Sequence, residues 1–174
     1  DILRAKGIRF GVLAKEKCNG DPAKRTGNEY LFQELATGNV EDLNAAGVKK
    51  VITSCPHCLK TLGHDYQEFG FRAQVVHSAV FVEEITREVK EIPGVPTQGP
   101  VVYHDPCYLG RHQGLYDPPR RLAQKAVREL HEFSRSRNES ECSGGGGLLP
   151  LTMPAAADAI AEHRLEEVRA AGVG

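Results

Sequence analysis

The stretch Val48-Lys-Lys-Val-Ile-Thr-Ser-Cys-Pro-His-Cys58 joins a short run of β-branched residues to two closely spaced cysteines. Residues 48–53 are typical of a buried strand, and Cys55 and Cys58 follow its carboxyl end. A Cys-x-x-Cys turn presents two sulfurs to one metal, and the same spacing occurs in thiol oxidoreductases. We therefore favour a metal site at Cys55 and Cys58, and a redox-active dithiol stays open as the alternative.

The segments around this stretch alternate between strand and helix patterns. Further strands are predicted at residues 8–14, 73–77 and 101–104. Helices are predicted at residues 27–46 and 79–89, from Asp117 with an apolar face of Leu122, Ala126 and Leu130, and from Pro154 onward. This alternation predicts an α/β fold in which helices pack on small parallel sheets.

A linker and an internal duplication divide the chain. Residues 92–100 contain three prolines and two glycines, which is typical of a linker. Glu16-Lys-Cys-Asn-Gly20 resembles Glu141-Cys-Ser-Gly144, and Ala45-Ala-Gly-Val48 recurs as Ala170-Ala-Gly-Val173, at offsets of 124 and 125 residues. Two matches in the same order at nearly one offset indicate two related repeats, 1–92 and 93–174.

Composition excludes several classes of partner. The 174 residues carry 22 Lys and Arg against 23 Asp and Glu, so the net charge of −1 gives no electrostatic basis for binding nucleic acid. No apolar run approaches the roughly 18 residues of a membrane helix.

The N-terminal residues show neither an initiator Met nor a secretory signal, so we expect a processed chain or a piece of a longer one.

Five cysteines are the candidate functional residues: Cys18, Cys55, Cys58, Cys107 and Cys142. An odd count without a secretory signal argues against a disulfide framework. The first four follow predicted strands, whose carboxyl ends meet at one edge of a parallel sheet. Cys142 lies in a Gly-rich loop, where Gly144 and Gly145 can bring bare backbone close to a bulky inorganic group.

Four stretches together resemble the cysteine-rich CCG repeat family of iron–sulfur proteins, which includes a subunit of heterodisulfide reductase and the iron–sulfur subunit of glycolate oxidase. They are Glu16–Arg25, Thr53–Cys58, Tyr103–Arg111 and Cys142–Gly147, and they follow the family order over nearly the whole chain. The resemblance implies a duplicated α/β fold that carries iron–sulfur clusters for electron transfer.

The resemblance also implies a role for each cysteine. Cys18 is the first Cys of a Cys-Cys-Gly motif, Cys55 and Cys58 form the Cys-x-x-Cys pair of that repeat, Cys107 leads the second repeat, and Cys142 opens its Cys-Cys-Gly. Asn19 and Ser143 replace the second Cys of each Cys-Cys-Gly. Ligand sets of four thiolates then suit [4Fe–4S] cubanes rather than the non-cubane clusters of the family.

This assignment predicts two separate sites. The sulfurs of Cys18, Cys55 and Cys58 should lie within about 7 Å of one another, and Cys107 should approach Cys142. The remaining ligands are expected upstream of Asp1 and shortly beyond Gly174. His57, His77 and His104 are expected to be structural or to support the ligands.

The predicted function is that of an iron–sulfur subunit or domain rather than a complete enzyme. It would pass electrons between a partner dehydrogenase or flavoprotein and a quinone or disulfide acceptor. We expect it in the cytoplasm, held at the inner face of the membrane by a partner or by a segment outside this chain. The alternatives are a zinc-binding structural module and a thiol–disulfide oxidoreductase that uses Cys55 and Cys58.

Overall fold

The computed structural model describes residues 2–90, 100–170 and 172, and the chain forms two compact units, Asp1–Glu88 (unit 1) and Val89–Gly174 (unit 2). Each unit combines a two-stranded parallel sheet with helices, which confirms the predicted α/β class, and in unit 1 helices pack on the sheet. The predicted linker at residues 92–100 lies almost wholly outside the described residues, as does the predicted boundary after residue 92.

Among its described residues, unit 1 contains five helices, a 3₁₀ turn and two strands. In chain order they are α1 (Ile2–Ala5), α2 (Asp21–Arg25), α3 (Glu29–Ala45), β1 (Lys50–Thr53), α4 (Pro56–Gly63), the 3₁₀ turn Asp65–Phe69, β2 (Gln74–His77) and α5 (Ser78–Ile85). Strand β1 pairs in parallel with β2, with Lys50 opposite Gln74 and Thr53 opposite His77.

The core of unit 1 forms on helix α3. Asn28 caps this helix by accepting a hydrogen bond from the backbone N–H of Leu31. The buried residues of the helix recur every three or four positions, so they form one buried face, which is apolar except for Asn39: Phe32, Ala36, Asn39, Val40 and Leu43. This face packs against Tyr66 and Phe71, which are 0% and 1% exposed. The core therefore joins α3 to the 3₁₀ turn that follows α4.

Unit 2 contains three helices, a 3₁₀ turn and two strands among its described residues. They are β3 (Val101–Tyr103), α6 (Asp117–Gln124), β4 (Leu130–Glu132), the 3₁₀ turn Arg137–Glu139, α7 (Leu149–Thr152) and α8 (Pro154–Ala170). Strand β3 pairs in parallel with β4, with Val101 opposite Leu130. The buried residues of this unit include few apolar side chains, Leu109 and Ala157 among them, beside the buried polar residues Asp105, Arg120 and Arg164.

Two predicted elements are wrong. Residues 8–14 form irregular backbone rather than a strand, with Phe10 and Val12 50% and 81% exposed. No strand among the described residues pairs with this segment, and an unpaired strand has no ladder of backbone hydrogen bonds to hold it. Leu130 does not extend helix α6, which ends at Gln124, but begins β4, because the backbone there pairs with Val101.

Candidate functional site

Cys55 and Cys58 lie at the start of helix α4, directly after β1. Cys55 is the N-cap of the helix, and its Sγ accepts a hydrogen bond from the backbone N–H of Cys58 at 3.5 Å. The hydroxyl of Thr53 accepts from the N–H of Cys55, so the end of the strand orients the turn. Burial, followed by the neighbouring Cys55, raises the pKa of the Cys58 thiol to about 11. Cys58 therefore keeps its proton near neutral pH, and a metal that binds it must displace that proton.

Cys18 reaches the same region from a loop, not from the strand that was predicted before it. The side chain is exposed, and its Sγ accepts a hydrogen bond from the backbone N–H of Gly20 at 3.5 Å. The amide of Asn39 on α3 donates to the backbone carbonyl of Cys18 at 2.9 Å. This loop is therefore fixed to the central helix of unit 1 while its thiol stays accessible.

Asn19 connects the Cys18 loop directly to the Cys-x-x-Cys helix. Its Nδ2 donates a hydrogen bond to Sγ of Cys58 at 3.2 Å, and its backbone carbonyl accepts from the hydroxyl of Tyr66 at 2.9 Å. Burial raises the pKa of Tyr66 to about 12; Cys18 and Cys58 both act in the same direction, against the hydrogen bond from Asn39. The contacts of Asn19 with Cys58 and Tyr66 therefore bring the Cys18 loop and the Cys-x-x-Cys helix together.

Asp21 is a second connection that the sequence analysis missed. Its carboxylate is almost fully buried and accepts from Thr61 Oγ1 at 3.3 Å and from Arg25 Nε at 3.1 Å. His57 Nδ1 lies 2.9 Å from the other carboxylate oxygen. His57 thus contacts Asp21, and its expected role in supporting the ligands remains a prediction. The position of Asp21 at the start of a Pro-led helix gave no sign of these contacts.

In unit 2, Asp105 ties the Cys107 segment to the segment before Cys142. Asp105 is 3% exposed, and its carboxylate accepts from both terminal nitrogens of Arg120 at 2.6 Å and from the backbone N–H of Arg137 at 2.7 Å. Burial raises the pKa of Asp105, but the hydrogen bonds from Arg120 and Arg137 outweigh it and hold that pKa below its usual range. The hydroxyl of Ser140 donates to the carbonyl of Asp105.

Arg111 makes the same connection from the other side of Cys107. Its guanidinium donates to the backbone carbonyl of Ser140 at 2.6 Å and to that of Asn138 at 3.2 Å. Residues on both sides of Cys107 therefore hold the backbone that leads to Cys142. Beside Cys142 lies an open cavity of about 430 Å³, lined by Glu141, Cys142, Ala159, Ile160 and His163.

The Cys-x-Gly turns of the two units have the same local structure. The N–H of Gly144 donates to Cys142 Sγ at 3.4 Å, as that of Gly20 does to Cys18 Sγ. Both glycines have positive φ, 76° and 81°. A Cβ on Gly144 would lie 2.4 Å from the carbonyl oxygen of Ala157. Close packing against α8 therefore explains this glycine, and the predicted contact of Gly144 and Gly145 with a cofactor remains a prediction.

Two further histidines are structural. His77 is buried at the end of β2, with Nε2 3.1 Å from the carbonyl of Ser54, and burial lowers its pKa. His104 packs edge-on against Phe133, and burial and then Arg164 lower its pKa. Both rings are therefore mainly neutral near pH 7.

The cysteine thiols of the chain are the right kind of ligand for an iron–sulfur cluster, but they do not form a complete ligand set among the described residues. Cys18, Cys55 and Cys142 each have a backbone N–H directed at the sulfur, an arrangement that stabilises thiolates. Within residues 2–90, 100–170 and 172, however, no three His, Cys, Asp or Glu side chains are grouped closely enough to hold a metal ion. The 7 Å convergence of Cys18, Cys55 and Cys58, and the approach of Cys107 to Cys142, remain predictions.

Comparison with known proteins identifies related sequences. The family model described as "CCG: Cysteine-rich domain" matches residues 1–63 and 101–174. The chain is 39% identical, over 84% of its length, to the EtfAB:quinone oxidoreductase of Syntrophomonas wolfei, and 40% identical, also over 84%, to the probable iron-sulfur-binding oxidoreductase FadF of Bacillus subtilis. It is 33% identical, over 95%, to a subunit of the dihydromethanophenazine:CoB–CoM heterodisulfide reductase of Methanosarcina barkeri.

The chain spans only part of each of these relatives: 21% of the Syntrophomonas and Bacillus proteins and 42% of the Methanosarcina protein. No solved structure matches it. Among the described helices, none has the length and apolar character needed to cross a membrane.

Proposed function

The chain belongs to the CCG cysteine-rich domain family, and we propose that it is the part of an iron–sulfur oxidoreductase that holds redox clusters and conducts electrons through them. The observation that carries this proposal is the hydrogen bond from Asn19 to Cys58, which holds the Cys18 loop against the Cys-x-x-Cys helix. Relatives named as iron–sulfur or quinone oxidoreductases support it.

We assign Cys18, Cys55 and Cys58 to a cluster of unit 1, and Cys107 and Cys142 to a separate cluster of unit 2. Thiolates are the usual ligands of iron–sulfur clusters, and replacement of the second Cys of each Cys-Cys-Gly favours a [4Fe–4S] cubane. The cluster would supply reversible one-electron transfer. The remaining ligands of each set are expected from cysteines beyond these five.

The residues of the chain would hold and tune these thiolates. The N–H groups of Gly20 and Gly144 donate to Cys18 and Cys142, which stabilises negative charge on sulfur. Asp21 fixes the Cys-x-x-Cys helix through His57 and Thr61, so that the sulfurs keep their spacing. A rigid ligand set limits the rearrangement that accompanies each electron transfer.

The electron donor is proposed to be a flavoprotein or dehydrogenase, and the acceptor a quinone or a disulfide. The names of the Syntrophomonas and Methanosarcina relatives contain a quinone and a heterodisulfide, and both relatives are redox proteins longer than this chain. The chain would then be one part of an oxidoreductase that acts in the cytoplasm, at the membrane face where such an acceptor is reached through a partner.

A thiol–disulfide oxidoreductase is the second candidate. Cys55 at the N-cap of α4 and Cys58 one turn later have the placement of a dithiol that closes to a disulfide. The raised pKa of Cys58 fits a half-buried second thiol equally well. A zinc site is the third option and would use the same sulfurs.

One measurement separates these functions. The full-length protein that contains this chain is purified without oxygen, and its iron, acid-labile sulfide, zinc and visible absorbance are determined. Iron with sulfide and a broad absorbance near about 400 nm is expected for a cubane. Cys58→Ser should remove the signal of unit 1 and keep that of unit 2, whereas Cys142→Ser should do the reverse. A colourless protein that contains zinc, or a metal-free protein with a titratable dithiol, would contradict the proposal.

A further inference from the structure

Asn19 occupies the position at which the Cys-Cys-Gly pattern has its second cysteine, yet its side chain is built into the site. Its Oδ1 accepts a hydrogen bond from the backbone N–H of Asp21 at 2.9 Å. This contact leaves Nδ2 to face the sulfur of Cys58, 3.2 Å away. The orientation of the amide is therefore set by the backbone, and the group directed at the sulfur is a donor.

The surroundings keep this donor in place. The backbone carbonyl of Asn19 accepts from the hydroxyl of Tyr66, which is fully buried. The next residue, Gly20, packs with positive φ against Phe32 of α3, where a Cβ would lie 2.8 Å from the ring. The backbone of Asn19 is thus held on both sides, while the hydrogen bond from the N–H of Asp21 orients its side chain toward Cys58.

Unit 2 provides the natural comparison. Ser143 stands at the matching position, and its Oγ accepts from the backbone N–H two residues on, Gly145, at 3.3 Å. This is the same turn that Asn19 makes with Asp21. The turn is therefore common to both units. Only Asn19 combines it with an amide that donates to a cysteine of the Cys-x-x-Cys pair, because the serine hydroxyl is shorter and has no second polar group.

We propose that Asn19 is a positioning residue that tunes the redox centre of unit 1 by donating a hydrogen bond to the sulfur of Cys58. This inference rests on the proposed function, because the sulfur must ligate a cluster for the hydrogen bond to affect its potential. A donor to a ligating thiolate stabilises the more negative, reduced cluster and raises its reduction potential. Asn19 thus puts a hydrogen-bond donor where the family pattern has a second cysteine. The cluster of unit 1 has a higher reduction potential with this donor than it would have without it.

The test uses Asn19→Ser, which keeps the turn to Asp21 and removes the amide donor without adding charge. The matched control is Asn28→Ser, because Asn28 caps α3 in the same unit and serine retains the capping function. Iron content, the Fe–S stretching frequencies from resonance Raman spectra, and the midpoint potential are measured on the full-length protein. Asn19→Ser should retain its iron, shift the potential of one cluster to a more negative value and change the Fe–S stretches, whereas Asn28→Ser should match the unaltered protein.

Two results would overturn the inference, and they differ from a failure of the proposed function. A cluster whose potential and stretches are the same in Asn19→Ser shows that the amide does not act on the ligating sulfur. Loss of iron in Asn19→Ser, with iron retained in Asn28→Ser, shows that Asn19 is required for assembly rather than tuning. Absence of iron from the unaltered protein contradicts the proposed function itself, and the tuning role with it.

Discussion

The amide of Asn39 donates a hydrogen bond to the hydroxyl of Tyr66, 3.0 Å away, in the core of unit 1. The same amide donates to the carbonyl of Cys18, and the Tyr66 hydroxyl donates to the carbonyl of Asn19. Two buried polar side chains thus hold two consecutive backbone carbonyls, those of Cys18 and Asn19. The loop that bears the exposed Cys18 thiol is therefore fixed to the core of unit 1 by these polar contacts.

Removal of the Tyr66 hydroxyl should therefore destabilise unit 1. Tyr66→Phe leaves Asn39 with a buried N–H that has lost its acceptor, and we expect the free energy of unfolding to fall by about 1–3 kcal/mol. Urea denaturation followed by circular dichroism measures this change. Tyr30→Phe is the control, because Tyr30 is 81% exposed and should behave like the unaltered chain. Equal stability of the two variants would contradict a role for the buried hydroxyl.

Alkaline pH should weaken the fold through the same residue. Burial raises the pKa of Tyr66 from its ordinary value of 10.0 to about 12, and it does the same for Tyr103 in unit 2. The folded chain therefore holds these protons more tightly than the unfolded chain does. Their contribution to the free energy of unfolding is complete below pH 10 and is lost as pH rises toward 12.

A pH series of urea denaturations on metal-free protein tests this. The raised pKa of Cys58 begins the loss of stability near pH 9, so the comparison is made in a Cys58→Ser background. Tyr66→Phe in that background should show a shallower decline between pH 10 and 12. A decline as steep as that of the parent would mean that Tyr66 does not titrate with the fold.

Asp105 should be far more important to unit 2 than a surface aspartate. Asp105→Ala removes one of the two carboxylates that neutralise the buried Arg120, and the expected loss of stability is about 3 kcal/mol or more. Asp117→Ala breaks only the exposed, solvent-screened ion pair with Arg137 and should leave the stability of unit 2 nearly unchanged. Thermal unfolding of both variants provides the comparison, and similar midpoints would rule out the buried network as a major source of stability.

Gly144 should tolerate no side chain. Gly144→Ala combines a positive φ with a Cβ placed 2.4 Å from the carbonyl oxygen of Ala157, so we expect a loss of roughly 2–4 kcal/mol. Gly147 also has positive φ, but a Cβ there meets nothing within 4 Å, so Gly147→Ala should cost only about 1 kcal/mol. Urea denaturation measures both losses. Equal losses would show that backbone conformation alone, and not packing on α8, requires glycine at 144.

Restoring the second cysteine of each Cys-Cys-Gly should change the cluster. Asn19→Cys and Ser143→Cys add a thiolate beside a ligand set that we propose to be complete with four, since a serine hydroxyl or an amide competes poorly with thiolate for iron. Electron paramagnetic resonance of the full-length protein should show cubane signals in the native protein and altered signals in each of the two variants. Non-cubane signals already present in the native protein would contradict the four-thiolate assignment.

The sequence predicted most elements whose residues carry a local signal. The β-branched run before Cys55 forms β1, the apolar periodicity of residues 29–45 forms α3, and Pro154 begins α8. The predictions were wrong where the presence or absence of a pairing strand decides the secondary structure. Residues 8–14 have a strand-like composition but no pairing strand among the described residues, and Leu130 fits a helical spacing but pairs with Val101.

Residue identity and spacing along the chain were enough to identify the family, the duplicated α/β class and the cysteines that are candidates for ligands. The folded chain was needed to show that Asn19 donates to Cys58, that Asp21 contacts His57, and that Asp105 holds the segment before Cys142. Each of these contacts joins residues more than thirty positions apart. Such contacts exist only after packing of the helices and strands has set the distances, since a short polar side chain acts over a few ångströms and leaves no periodic trace in the sequence.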